Sequence, residues 1–144
     1  MEAQSQFNTS QFNKFIITYF KYFDFSYRLR LVSMKLHFIT IERLLEMKAN
    51  DEKFALVDVL SEESYREGHI PGPINLPLEK LESLADSTLN KQDTIVVYCS
   101  GYSCQASTKA AIKLQVMGYK KILDFKAVKR GWQHTGLDLE KSGI

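Results

Sequence analysis

From Met34 onward the chain alternates short apolar runs with stretches whose apolar residues recur every three or four positions. Phe54-Ala55-Leu56-Val57-Asp58-Val59 and Thr94-Ile95-Val96-Val97-Tyr98 are nearly unbroken apolar runs, the pattern of strands covered on both faces. His37-Phe38-Ile39 and Lys121-Ile122-Leu123-Asp124-Phe125 read as a first and a last strand. Between them, Thr40 is placed to cap a helix carrying Ile41, Leu44, Leu45 and Met47, and Ser61 to cap a short one through Arg66. Leu78, Leu81, Leu84 and Ala85 carry helical spacing, as do Ala106, Ala110, Ala111, Leu114 and Met117, a helix that Gly118 can terminate. Gly68-His69-Ile70-Pro71-Gly72-Pro73 is a predicted loop, and a short helix through Trp132 closes the pattern. Strand–helix alternation predicts an α/β fold with a mostly parallel sheet and helices on both faces, whose sites lie beyond the carboxyl ends of strands. Cys99 and Asp58 fall at two such ends.

Residues 1–33 break the pattern. They begin rich in Gln and Asn and turn aromatic over Phe15–Phe25. That run is shorter than the roughly 20 apolar residues of a membrane span and is interrupted by Lys21 and Asp24, so membrane contact by residues 15–25 is not expected. It also lacks a small-residue cleavage signal. The reading is a dispensable extension over residues 1–33 and a folded domain over residues 34–144.

A chain of 144 residues suits one ordinary domain that buries a core without staples. Its two cysteines, five positions apart, argue against a disulfide scaffold and for a reducing, cytoplasmic setting. The net charge of +2 conceals an asymmetry, with seven bases and twelve acids over residues 34–98 but eight bases and three acids from Cys99 onward. If the basic half surrounds the cysteines, it attracts an anionic sulfur donor or an acidic partner; otherwise its lysines merely solvate helix faces. No nucleic-acid partner is expected, and neither a metal site nor a cofactor is read from the chain; Cys99, Cys104 and His69 have no fourth ligand at recognisable spacing.

Cys99 ends the central strand run, and Ser100-Gly101-Tyr102-Ser103-Cys104 leads from it into a helix. Helix amino termini present unpaired N–H groups and partial positive charge, which lower a cysteine pKa from about 8.5 toward about 3.5–7.5. The expectation is that Cys99 is held as a thiolate. Gly101 is expected to let the loop bend inward.

Several ordered motifs together resemble the single-domain rhodaneses: Leu56-Val57-Asp58-Val59; Glu63 through Gly72 with Ile74-Asn75-Leu76-Pro77; Val96-Val97-Tyr98-Cys99; Gly118-Tyr119; Gly131-Trp132; and Gly136-Leu137. The resemblance spans about residues 37–140 and implies a rhodanese-like fold and a thiosulfate sulfurtransferase-like enzyme, working without a cofactor. It makes Cys99 the catalytic residue that carries sulfane sulfur as a persulfide from a small-molecule donor to a thiol, cyanide or protein acceptor. The Ser100, Gly101, Tyr102, Ser103 and Cys104 segment becomes the binding loop, and Asp58 and His69 become supporting residues that either aid the loop or serve the fold alone.

The chain also departs from that family. It has no arginine between Cys99 and Ala106, Leu60 where arginine is common, and Ala127-Val128 where paired glycines are usual. These changes argue for a donor other than thiosulfate, with Lys109, Lys129 or Arg130 as substitute cations. They keep open an alternative, a catalytically weak binding or reactive-sulfur-sensing module using Cys99 and Cys104. Cys104 is either a resolving cysteine for a Cys99 persulfide or a small packed residue. Phosphatase or arsenate reductase chemistry needs a longer loop with an arginine where Gln105 and Ala106 stand.

Overall fold

The computed structural model describes residues 34–142, apart from the side chains of residues 128–130. Five strands, β1 (His37–Ile39), β2 (Phe54–Asp58), β3 (Ile74–Asn75), β4 (Thr94–Tyr98) and β5 (Lys121–Phe125), form one sheet in the order β1-β5-β4-β2-β3. Every pairing is parallel. The helices are α1 (Ile41–Ala49), α2 (Glu62–Glu67), α3 (Leu81–Thr88), α4 (Ala106–Val116) and α5 (Val128–His134). The predicted α/β architecture, a parallel sheet with helices, is therefore the observed one.

Local chemistry sets these boundaries. The Thr40 hydroxyl accepts the Arg43 N–H at 3.2 Å to start α1, and the Ser61 hydroxyl accepts the Ser64 N–H at 3.2 Å to start α2. Gly118 leaves α4 with φ +95°, which glycine adopts without the cost a side chain incurs. Leu78 lies in a tight 3₁₀ turn (Leu78–Lys80) ahead of α3, and Leu84 is exposed because it falls off the face that Leu81 and Ala85 bury.

The side-chain alternation of β4 divides the core. Ile95, Val97 and Cys99 point to the face covered by α3 and α4, where they meet Leu81, Ala85, Ala110, Ala111 and Leu114. Val96 and Tyr98 point to the opposite face, against Leu44, Met47, Ile70, Phe125 and Trp132. The alanines of α4 let that helix approach the sheet closely, so Cys99 lies beneath its first turn. Residues 1–33, expected to be a removable extension, lie outside the described residues.

Candidate active site

The β4–α4 loop carries Cys99 at the strand end and Cys104 near the helix start. Cys99 is fully buried, whereas Cys104 is half-buried. Oxygen atoms face the Cys99 sulfur: the Cys104 carbonyl at 3.4 Å, the Ser107 hydroxyl at 3.4 Å and, more distantly, the Gly101 carbonyl at 3.9 Å. Carbonyls only accept, so this wall favours a protonated thiol. The neighbouring Cys104 side chain together with burial pushes the Cys99 thiol well above its ordinary value, against the pull of the Ser107 hydroxyl and N–H.

Cys104 receives what Cys99 was expected to receive. The Cys99 thiol, the N–H groups of Ala106 and Ser100, and the Ser100 hydroxyl all favour its anion, and together they outweigh burial and bring it down to about 4. The expectation of a resting thiolate at Cys99 is thus corrected. The helix start does cradle a sulfur anion, but its first N–H group, Ala106, turns toward the residue two positions earlier in the loop.

Gly101 differs from its expected role as well. Its φ lies outside the left-handed region, and an added Cβ would meet nothing within 4 Å, so the bend does not require glycine. The turn is instead closed by the Cys104 N–H on the Gly101 carbonyl at 3.1 Å. Ser100, Tyr102 and Ser103 are exposed along the loop's outer edge.

Asp58 and His69 serve the scaffold. Asp58 Oδ1 accepts the Leu60 N–H at 2.9 Å, and its carboxylate also hydrogen-bonds the buried Tyr98 hydroxyl, which accepts the Ile70 N–H at 3.3 Å. Asp58 therefore ties the ends of β2 and β4 to the Gly68–Pro73 loop. His69 Nδ1 lies 2.8 Å from the Tyr65 carbonyl, a contact in which the nitrogen must carry the proton. Its ring stacks on Tyr65 at 3.8 Å, and its backbone pairs with Glu140.

Two residues that the sequence did not place at the site complete the setting. Lys126, directly after β5, is 5% exposed, and its Nζ donates to the Cys104 carbonyl at 2.8 Å. It lies 3.8 Å from Asp124 Oδ2, which also accepts the Thr108 hydroxyl at 2.7 Å. Burial raises the Asp124 pKa, and Lys126 opposes that rise. The signal available in the sequence was position alone: a lysine immediately past an apolar parallel strand. Part of the basic half lies away from the loop. Lys113 pairs with Glu82 at 2.9 Å, while Lys120 and Lys121 stand at the amino end of β5, opposite the cysteines. The Lys129 and Arg130 side chains lie outside what is described.

No helix among the described residues is long and apolar enough to cross a membrane. A cleft of about 470 Å³, lined by Lys35, His37, Gln115, Tyr119 and Lys120, opens at the amino end of the sheet, away from the cysteines.

Comparison with known proteins agrees with this architecture. The chain is 32% identical over 94 residues to the putative sulfur carrier protein YrkF of Bacillus subtilis, covering 65% of this chain and 49% of that protein. It is 29% identical over 101 residues to a sulfurtransferase of Allochromatium vinosum, covering 70% and 92%. It spans half or less of the length of several curated relatives it matches. Among solved structures, the rhodanese-like domain of an Anabaena protein superposes with a TM-score of 0.66 at 26% identity, covering 76% of this chain and 81% of that one. The Rhodanese-like domain model matches residues 40–135, and with that match the chain belongs to the rhodanese-like family, whose relatives named here include sulfurtransferases.

Proposed function

We propose that this domain transfers sulfane sulfur through the Cys99–Cys104 loop, with Cys99 as the carrier, from a small-molecule donor to a thiol, cyanide or protein acceptor. One observation carries the reading: two free cysteines share the loop at the carboxyl end of β4, with the Cys99 sulfur 3.4 Å from both the Cys104 carbonyl and the Ser107 hydroxyl beneath the start of α4. In the first step Cys99 passes its proton to the Cys104 thiolate and attacks the outer sulfur of the donor. With thiosulfate as donor, the donor S–S bond breaks and sulfite leaves with the electron pair, leaving a Cys99 persulfide. The Ser107 hydroxyl and N–H face the Cys99 sulfur and support the charge it acquires. An acceptor thiolate or cyanide then attacks the outer sulfur, and Cys99 departs as the thiolate and recovers its proton from Cys104. The paired free thiols suit a reducing, cytoplasmic setting.

The exposure of the two sulfurs favours a second reading, in which the half-buried Cys104 thiolate is loaded first. Steady-state transfer to cyanide separates the two. Under the first reading Cys99→Ser abolishes transfer, because an oxygen nucleophile does not carry sulfane sulfur, while Cys104→Ser keeps part of it. An active Cys99→Ser with a dead Cys104→Ser establishes the second reading in its place.

A further inference from the structure

The loop contains no cation of its own, yet one is buried beneath it. Lys126 comes from β5, the strand beside β4, and reaches the carboxyl end of the sheet with its Nζ on the Cys104 carbonyl at 2.8 Å. Burying an ammonium is unfavourable unless nearby groups compensate, and here the Asp124 carboxylate 3.8 Å away does so. The link continues. Thr108 donates to Asp124 at 2.7 Å, and the hydroxyl of the adjoining Ser107 lies 3.4 Å from the Cys99 sulfur.

The pair is thus joined to both cysteines, Lys126 directly through the Cys104 carbonyl and Asp124 through Thr108 and the adjoining Ser107 of the first turn of α4. By holding that carbonyl, Lys126 fixes the peptide preceding Gln105 and Ala106, and so fixes where the Ala106 N–H points. The ionisable groups from the packed elements around this centre are Cys99 and Cys104 on the loop and Asp124 and Lys126 on and after β5, among the described residues.

We propose that Lys126 is a positioning residue for the cysteine loop: it locks the Cys104 peptide and supplies from beneath the positive charge the loop sequence lacks, with Asp124 as its opposing counter-charge. Its value to a persulfide anion rests on the sulfur-transfer reading above, whereas its effect on the resting thiols does not. The two charges pull the thiolate in opposite directions. Lys126 stabilises it, and Asp124 is disfavoured by Cys104 as that residue becomes anionic, so by reciprocity Asp124 disfavours the anion.

The test is the pH profile of Cys104 alkylation by iodoacetamide in the full chain, followed by peptide mass, which reads the thiolate without sulfur transfer. Lys126→Met is expected to move the midpoint up by about one unit, a tenfold loss of thiolate on its acid side. Lys126→Arg is expected to restore it, Asp124→Asn to move it down, and the Lys126→Met/Asp124→Asn double variant to fall between the singles. A purely structural role loosens the loop in every variant, so Lys126→Met and Asp124→Asn moving the same way, or neither moving, overturns the proposal. If Lys126→Met does not fold by circular dichroism, Asp124→Asn decides: a lower midpoint supports the proposal, and an unmoved or higher one overturns it. A normal thiol profile shift with no sulfur transfer counts against the functional reading alone.

Discussion

Tyr98 shows how single side chains separate scaffold from chemistry. Its ring is buried on the face opposite Cys99, and its hydroxyl joins the Ile70 N–H to Asp58. Tyr98→Phe leaves a buried N–H and a carboxylate short of a partner, so it is expected to cost about 1–3 kcal/mol. Denaturant unfolding measures that loss, and sulfur transfer by the remaining folded protein is expected to be unchanged. At this scale the sequence revealed which sulfur ends the strand and that the helix start would stabilise an anion. It did not reveal which cysteine receives the N–H groups, because that depends on where the Gly101 and Cys104 carbonyls turn in space. Lys126 and Asp124 were hidden for a related reason: a strand-end lysine looks like surface until its neighbour strand is known to carry the loop it supports.

The helices and strands were more legible, since periodicity is a local property. β4 and β5 occupy the runs that the apolar pattern marked, and Thr40 and Ser61 cap as their types suggested. β3 was not legible, because a two-residue strand has no periodicity and exists by pairing Ile74 and Asn75 with Val57 and Asp58. Two glycines give opposite expectations for substitution. Gly118→Ala forces a side chain into φ +95° and is expected to cost about 1–2 kcal/mol. Gly101→Ala, with open space and ordinary backbone, is expected to remain within about 0.5 kcal/mol of wild type. Thermal melts of the two variants side by side test the contrast.

For the molecule as a whole, the strand order sets the site. With β4 between β2 and β5, the loops after β4 and β5 emerge side by side, which brings Lys126 under the cysteines. A chain beginning at Met34 retains every strand and helix described above, and it is expected to melt within a few degrees of the full chain with the same transfer rate. The cysteine pair also couples stability to pH. The folded Cys104 pKa of about 4 lies below its unfolded value of about 8.5, so its contribution is fully present above the unfolded value and declines as pH falls toward and through 4. Cys99, raised on folding, acts in the other sense: its contribution is present below the unfolded value and lost above it. Cys104→Ser is therefore expected to cost most stability at mildly alkaline pH and progressively less toward pH 4, as read from denaturant midpoints across that range.

Under the proposed function, sulfur is carried on Cys99 beside Cys104. Wild type treated with a sulfane donor and no acceptor, then examined by intact mass and peptide mapping, tests it most directly. A single added sulfur located on Cys99 is expected, stable in Cys104→Ser. Faster loss of that sulfur from wild type, with hydrosulfide released and a Cys99–Cys104 disulfide left, makes Cys104 a resolving cysteine; equal lifetimes in the two proteins leave it as packing. No sulfur adduct or disulfide on either cysteine, or an adduct found on Cys104 alone, contradicts the proposed function.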